Sequence, residues 1–172
     1  MLRSIVRTLD RLVDALTWLA AGFALLMTLH VTADLVGRTF FNHPLVGTTE
    51  IVTAYYMVAL VFLPLAVITR QRAHIMVELF TSWMARKPLL CLDLVVGIVS
   101  LGFVLLVTWM AIDTAIEKTA LREAWESSTG YIPIWISRWI LAVGFVLMCA
   151  YLVLNIVREA LALRGEREDV AK

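Results

Sequence analysis

Four long apolar runs, Leu16–Val36, Ile51–Ile68, Leu89–Ile112 and Ile134–Val157, constrain this chain of 172 residues more than any other feature. Each approaches or exceeds the ~20 helical residues that cross a hydrocarbon core about 30 Å thick. Lipid offers no partner to a backbone N–H or C=O, so such segments must close their hydrogen bonds internally, as helices. Apart from His30, none of the runs carries an ionisable group at its centre. The sequence therefore predicts an all-α integral membrane protein. Four transmembrane helices, at about 16–36, 51–68, 89–112 and 134–157, form a single membrane domain over residues 1–172.

Composition agrees: 61% of residues are hydrophobic and 17% charged, with a mean hydropathy of +0.85. A net charge of +1 gives no argument for a nucleic-acid partner. The first run is expected to stay as a span rather than be cleaved as a signal peptide. It is too long, Asp10 and Asp14 precede it, and no A-x-A-like site closes it. Cys91 and Cys149 both fall inside runs. Isolated thiols there act as small apolar groups, so neither a disulfide nor a metal site is expected.

Lysine and arginine set the orientation. With both termini on one side, that side collects eleven basic residues: Arg3, Arg7, Arg11, Arg70, Arg72, Arg86, Lys87, Arg158, Arg164, Arg167 and Lys172. The other side receives four, namely Arg38, Lys118, Arg122 and Arg138. The bias predicts cytoplasmic termini. Three loops remain, outer 37–50, inner 69–88 and outer 113–133.

In the inner loop, Ile75, Met76, Leu79, Phe80, Trp83 and Met84 recur at helical spacing, with His74, Glu78 and Ser82 on the other side. This pattern predicts an amphipathic helix over 74–87, closed by Pro88. It lies in the membrane plane or packs on the protein's own spans, a brace in either case.

The outer loops have different chemistry. In the first, Asp34 and Arg38 stand four residues apart and can pair on one helix face. Asn42 and Pro44 end the helix, and Gly47 lets the chain reverse. Thr48 is placed to cap the second span, with Glu50 in its first turn, where the helix dipole favours a carboxylate. In the second, Ile116, Ala120, Leu121, Ala124 and Trp125 continue an apolar stripe that predicts a helical extension of the third span. Residues 127–130 break it, and Pro133 is placed to start the fourth span. Beside this structural account stands a functional one. Phe40, Phe41, Asn42, His43, Glu123, Trp125 and Glu126 would form a docking surface for a partner outside the membrane.

The stretch Arg38-Thr-Phe-Phe-Asn42-His-Pro44-Leu-Val-Gly47-Thr-Thr-Glu50 resembles the signature after the first span of the small membrane subunit of TRAP transporters. These are tripartite ATP-independent periplasmic transporters, and the subunit is the DctQ-like, Q-type component. Phe62-Leu63 through His74-Ile75-Met76-Val77-Glu78 is similar to a second family stretch, with Glu78 where Asp is commoner. Ser128-Thr129 through Ile132-Pro133-Ile134-Trp135, then Gly144-Phe145, is similar to the family's entry into the fourth span. The resemblance covers nearly the whole chain.

That resemblance implies a fixed scaffold in the bacterial inner membrane, forming a heterodimer with a large permease subunit. The large subunit would carry the substrate and sodium sites and move in elevator fashion. A periplasmic substrate-binding protein would deliver a small organic acid carrying a carboxylate. The family motif then falls on Asp34, Arg38, Phe41, Asn42, Pro44, Glu50, His74, Glu78, Pro133 and Trp135. The C-terminal Arg-Glu-Asp-Val-Ala-Lys suggests that the large subunit is a separate chain.

Other classes fit less well. A b-type cytochrome subunit needs paired histidines on facing spans, but only His30 lies in a span, and it is expected to hydrogen-bond a neighbouring helix. A proton-coupled exporter acting alone calls for a central carboxylate, whereas Asp34 and Asp93 lie near span ends. An enzyme lacks support, with no nucleophile beside a base, no metal-ligand spacing and no phosphate loop. No cofactor is expected. A structural or assembly subunit of another membrane complex is the alternative that shares most of these features.

Overall fold

The computed structural model describes residues 2–43, 45, 47–71, 86–127 and 130–170. Among the described residues, four helical stretches are long and apolar enough to cross a membrane: Val6–Phe40, Thr48–Arg70, Pro88–Ala120 and Trp135–Arg164. The first belongs to a 39-residue helix, α1 (Leu2–Phe40). The second is segmented into α2 (Thr48–Ile51), a wider π-type turn at Val52–Tyr56, α3 (Met57–Phe62) and α4 (Leu65–Arg70). The third and fourth lie in α5 (Arg86–Ala120) and α6 (Trp135–Val170), each longer than its apolar run.

The break in the second span has a local cause. Pro64 brings no N–H to the ladder, so the helix yields at Leu63-Pro64 and restarts with Ile68 N donating to Pro64 O at 3.1 Å. Pro88 instead sits in the first turn of α5, where a missing donor costs little.

The helices run up, down, up, down, and their contacts fall into layers. At the end that holds the termini, Val13, Ala66 and Tyr151 form a buried cluster from the first, second and fourth spans. Midway, Ala20, Ala59 and Leu63 pack with Ile140. On the far side of α6, Val104 of α5 meets Cys149 and Leu152. The fourth span is thus flanked by the second and third, with the first lying on the second.

Apolar side chains gain little by leaving lipid for one another, so close fit and polar links must hold the spans together. A Cβ on Gly144 would overlap the Phe62 carbonyl oxygen and lie 3.2 Å from Phe62 Cβ, so this glycine lets α6 touch the α3 backbone. Gly97 plays a similar part against Ile156, whereas Gly102 faces open space.

The polar links concentrate near the termini. Arg70 Nη2 donates to Asp14 Oδ1 at 2.6 Å, and its Nη1 lies 3.6 Å from Asp10 Oδ1. The Tyr151 hydroxyl, on a side chain only 1% exposed, donates to Asp10 at 2.7 Å. Asn155 Nδ2 donates to Thr69 O at 3.1 Å. Three spans are clasped by this set. Interhelical polar contacts in membranes contribute roughly 0.6 kcal/mol each on average, so the clasp acts through number. Higher in the bundle, His30 Nδ1 lies 3.3 Å from the Tyr56 hydroxyl, the interhelical contact expected of that histidine.

Two sequence expectations need correction here. Beyond Ala120 the chain is not a helical extension. It forms an antiparallel hairpin, β1 (Ala124–Ser127) with β2 (Gly130–Pro133), so the fold is mostly rather than wholly helical. Pro133 accordingly ends β2 instead of opening the last span, and α6 begins at Trp135. The expected helix at 74–87, with His74 and Glu78, lies almost wholly outside the described residues, and its last two residues, Arg86 and Lys87, open α5 instead.

Candidate functional site

The end of the bundle away from the termini carries the two connections singled out by the sequence, and each is held by its own set of bonds. After Phe40 the chain folds back over the last turn of α1. Phe41 N and His43 N both donate to Gly37 O, at 3.1 and 3.0 Å. A Cβ on Gly37 would stand 2.8 Å from His43 O, so the return path needs glycine there. Asn42 takes φ 50, a left-handed conformation that asparagine tolerates better than most residues.

Asp34 organises this loop. Its Oδ1 accepts Leu45 N at 2.8 Å and its Oδ2 accepts Arg38 Nη2 at 3.1 Å. The Asp34 side chain is 12% exposed, that of Arg38 63%. The backbone bond is therefore the more sheltered of the two. Gly47, at φ 81, precedes α2 as its cap residue. No side chain caps this helix: Thr48, expected in that role, donates its hydroxyl to Leu45 O at 3.2 Å instead. Glu50 does lie in the first turn. Pro44 is outside the described residues.

The second connection is built on Glu123. Arg122, at φ 48, turns the chain out of α5. Glu123 N donates to Lys118 O at 3.0 Å, and Glu123 O accepts Ile134 N at 3.0 Å and Trp135 N at 3.3 Å. Its Oε2 lies 3.4 Å from Arg138 Nη2 on the first turns of α6. Trp139 Nε1 donates to Thr119 Oγ1 at 2.9 Å, a further tie between α5 and α6. The hairpin pairs Ala124 with Pro133, Trp125 with Ile132, Glu126 with Tyr131 and Ser127 with Gly130.

One contact ties the hairpin to the second span, into which the first connection leads. The Tyr55 hydroxyl, on the π-type turn of the second span, donates to the Pro133 carbonyl at the end of β2. The folded-back loop and the hairpin therefore share one end of the bundle.

Of the residues expected to form a docking surface, Phe40 and Phe41 are 78% and 75% exposed, and Asn42, His43 and Glu126 are exposed as well. Trp125 is 43% exposed. Glu123 differs. It is half-buried, engaged with Arg138, and belongs to the hairpin's foundation. Trp135 is half-buried at the start of α6. Tyr131 is likewise 75% exposed, beside Glu126, and extends the apolar part of this surface. Its signal was hidden because a helical reading of 113–133 gives no cross-strand neighbours. No group of three or more His, Cys, Asp or Glu suited to a metal ion occurs among the described residues.

A family model described as "Tripartite ATP-independent periplasmic transporters, DctQ component" matches residues 27–162. The chain belongs to that family. It is thus a small membrane component of a TRAP transporter, and the match begins within the first span and ends within α6. No curated protein and no solved structure matches the chain. The DctQ match takes in both of these connections and every described residue of the expected docking surface.

Proposed function

We propose that this DctQ-family chain is the stationary scaffold of a sodium-driven importer of small organic acids in the bacterial inner membrane. It pairs one-to-one with a large permease subunit. Its outer end helps to seat a periplasmic substrate-binding protein, and both termini face the cytoplasm. The observation that carries this reading is the platform formed by the Phe40–His43 return and the hairpin. The return is held on α1 through Gly37 and Asp34, the hairpin is tied to the second span by Tyr55, and both present exposed aromatic groups at one end of the bundle. A partner that docks and leaves on every cycle suits a modest contact with a few aromatic anchors and a polar rim. The excess of basic residues in the termini and the 69–88 connection, eleven against four by sequence, supports that orientation.

The test is reconstitution. Vesicles holding this chain with the large subunit should take up substrate when binding protein and a sodium gradient are supplied, and vesicles holding this chain alone should not. Trp125→Ala with Glu126→Lys should slow uptake several-fold at limiting binding protein, while the yield of the membrane complex stays at the wild-type level. Uptake by the chain alone would overturn the scaffold role. Identical titrations for wild type and the double variant would move docking to the large subunit.

A further inference from the structure

The clasp near the termini leaves two arginines of the first helix without a counter-charge. Arg7 and Arg11 stand one turn apart on α1, and both are exposed. Asp10 and Asp14 lie three residues beyond Arg7 and Arg11 respectively, a spacing at which they could pair. Both acids are engaged elsewhere. Asp14 accepts Arg70 Nη2 at 2.6 Å, while Asp10 accepts the Tyr151 hydroxyl at 2.7 Å and lies 3.6 Å from Arg70 Nη1. Among the described residues no ion pair reaches Arg7 or Arg11. Like charges one turn apart repel, so the pair favours an anion beside it.

The face that carries them continues into the membrane. At 3.6 residues per turn, Arg7, Arg11, Trp18, Leu25 and Leu29 fall on one side of α1, opposite Val13 and Ala20. Exposure follows the same division: Trp18, Leu25 and Leu29 are exposed, whereas Val13 and Ala20 are buried. One stripe therefore passes from aliphatic residues through a tryptophan to two cations. Acyl chain, interface and headgroup follow one another in that order in a lipid leaflet.

Depth agrees. At ~1.5 Å per residue, Arg11 lies about 7.5 Å outside Leu16, where the apolar run begins, and Arg7 about 13.5 Å outside it. The headgroup layer is about 5–8 Å deep, and its charge is felt for about 8 Å more at physiological salt. Arg11 thus stands at the phosphates and Arg7 within their field. A guanidinium binds phosphate through paired N–H donors. A choline headgroup brings its own cation, which competes with the arginines for that phosphate, whereas a glycerol headgroup leaves the negative charge unopposed.

We propose that Arg7 and Arg11 hold the phosphate of an anionic phospholipid whose acyl chains lie along Trp18, Leu25 and Leu29. The site does not depend on the docking role of the opposite end of the bundle. It requires only that α1 stand in a bilayer.

The full-length protein, purified in detergent and stripped of lipid, should be titrated with phosphatidylglycerol and phosphatidylcholine of identical acyl chains. Bound lipid is counted by native mass spectrometry. At low salt the glycerol lipid should be retained about tenfold more tightly, in keeping with two cations at an anionic surface. Salt of about 1 M, which shortens screening to about 3 Å, should reduce that ratio several-fold in the wild type. Arg7→Gln with Arg11→Gln should bring the ratio close to one, with the melting temperature showing that the variant folds. Arg164 is exposed on α6, about 10.5 Å beyond Val157 at the end of the fourth run. Arg164→Gln should leave the ratio unchanged where Arg11→Gln lowers it, which separates this site from a general effect of positive charge. Equal retention of the two lipids by the wild type, a ratio that high salt leaves intact, or a folded double variant that keeps the preference overturns the proposal. So does an Arg164→Gln effect as large as that of Arg11→Gln, or a photo-crosslink from position 18 in membranes that captures a polypeptide instead of lipid.

Discussion

At the scale of the residue, Asp34 shows why a motif position must be weighed by what its side chain touches. The sequence pairs it with Arg38 on spacing alone, and the pair is present at 3.1 Å. An exposed pair of this kind contributes at most about 1 kcal/mol. The bond to Leu45 N is sheltered and holds the return loop eleven residues away. Leaving a buried N–H without an acceptor costs about 1–3 kcal/mol. Arg38→Ala and Asp34→Asn should therefore cost little, because an acceptor for Leu45 N survives in both. Asp34→Ala should lower the melting temperature of the detergent-solubilised protein and disorder the loop, read as faster proteolysis near residue 45. If Arg38→Ala proves as damaging as Asp34→Ala, the ion pair governs the loop. Sequence spacing marks which residues can meet on one helix, but not a side chain that reaches a backbone group across a turn. That is why Asp34–Arg38 was legible, while the Leu45 bond and the hydroxyl of Thr48 were not.

At the scale of the element, hydropathy resolved the four spans and blurred where each helix stops. Helix ends in this chain run past the apolar runs because α1, α5 and α6 keep their ladders through polar segments such as Asp113–Ala120. The hairpin escaped prediction for a different reason. Ala124 and Trp125 continue a helical stripe in sequence, yet left-handed Arg122 and the grip of Glu123 O on Ile134 N and Trp135 N stop the helix first. Packing between elements was partly visible: a small residue at position 144 signals close approach without naming its partner. The structure names it as the backbone of Phe62. Forcing a larger side chain into such a contact typically costs about 1–3 kcal/mol. Gly144→Val should separate α6 from α3 and lower the melting temperature, whereas Gly102→Val, on an open face, should leave it within experimental error. Equal shifts for the two variants would show that the α3–α6 contact is not a determinant of stability.

At the scale of the whole molecule, the spans differ in length, and this carries a consequence for the membrane the protein prefers. The first helix has 39 residues and would extend about 58 Å at ~1.5 Å per residue. Thr48–Arg70 has 23 residues and extends about 34 Å on the same scale. The long helices can slide past either interface without exposing a terminus to hydrocarbon. The second span cannot. Glu50 lies at one of its ends and Arg70 at the other, tied to Asp14. It is therefore the gauge against which bilayer thickness is measured, and mismatch costs fractions of a kcal/mol per Å. In vesicles of graded acyl-chain length, thermal stability should peak where the hydrocarbon core is about 30 Å and fall on both sides. Inserting two leucines after Val61 should move that peak toward thicker membranes by about 3 Å, the rise of two helical residues. Inserting the same pair after Arg7, in the long first helix and ahead of the clasp, should leave it in place. A peak that follows the first helix instead would assign the gauge to α1. The short, clasped second span thus does more than support the hairpin: it selects the bilayer in which the bundle stands upright.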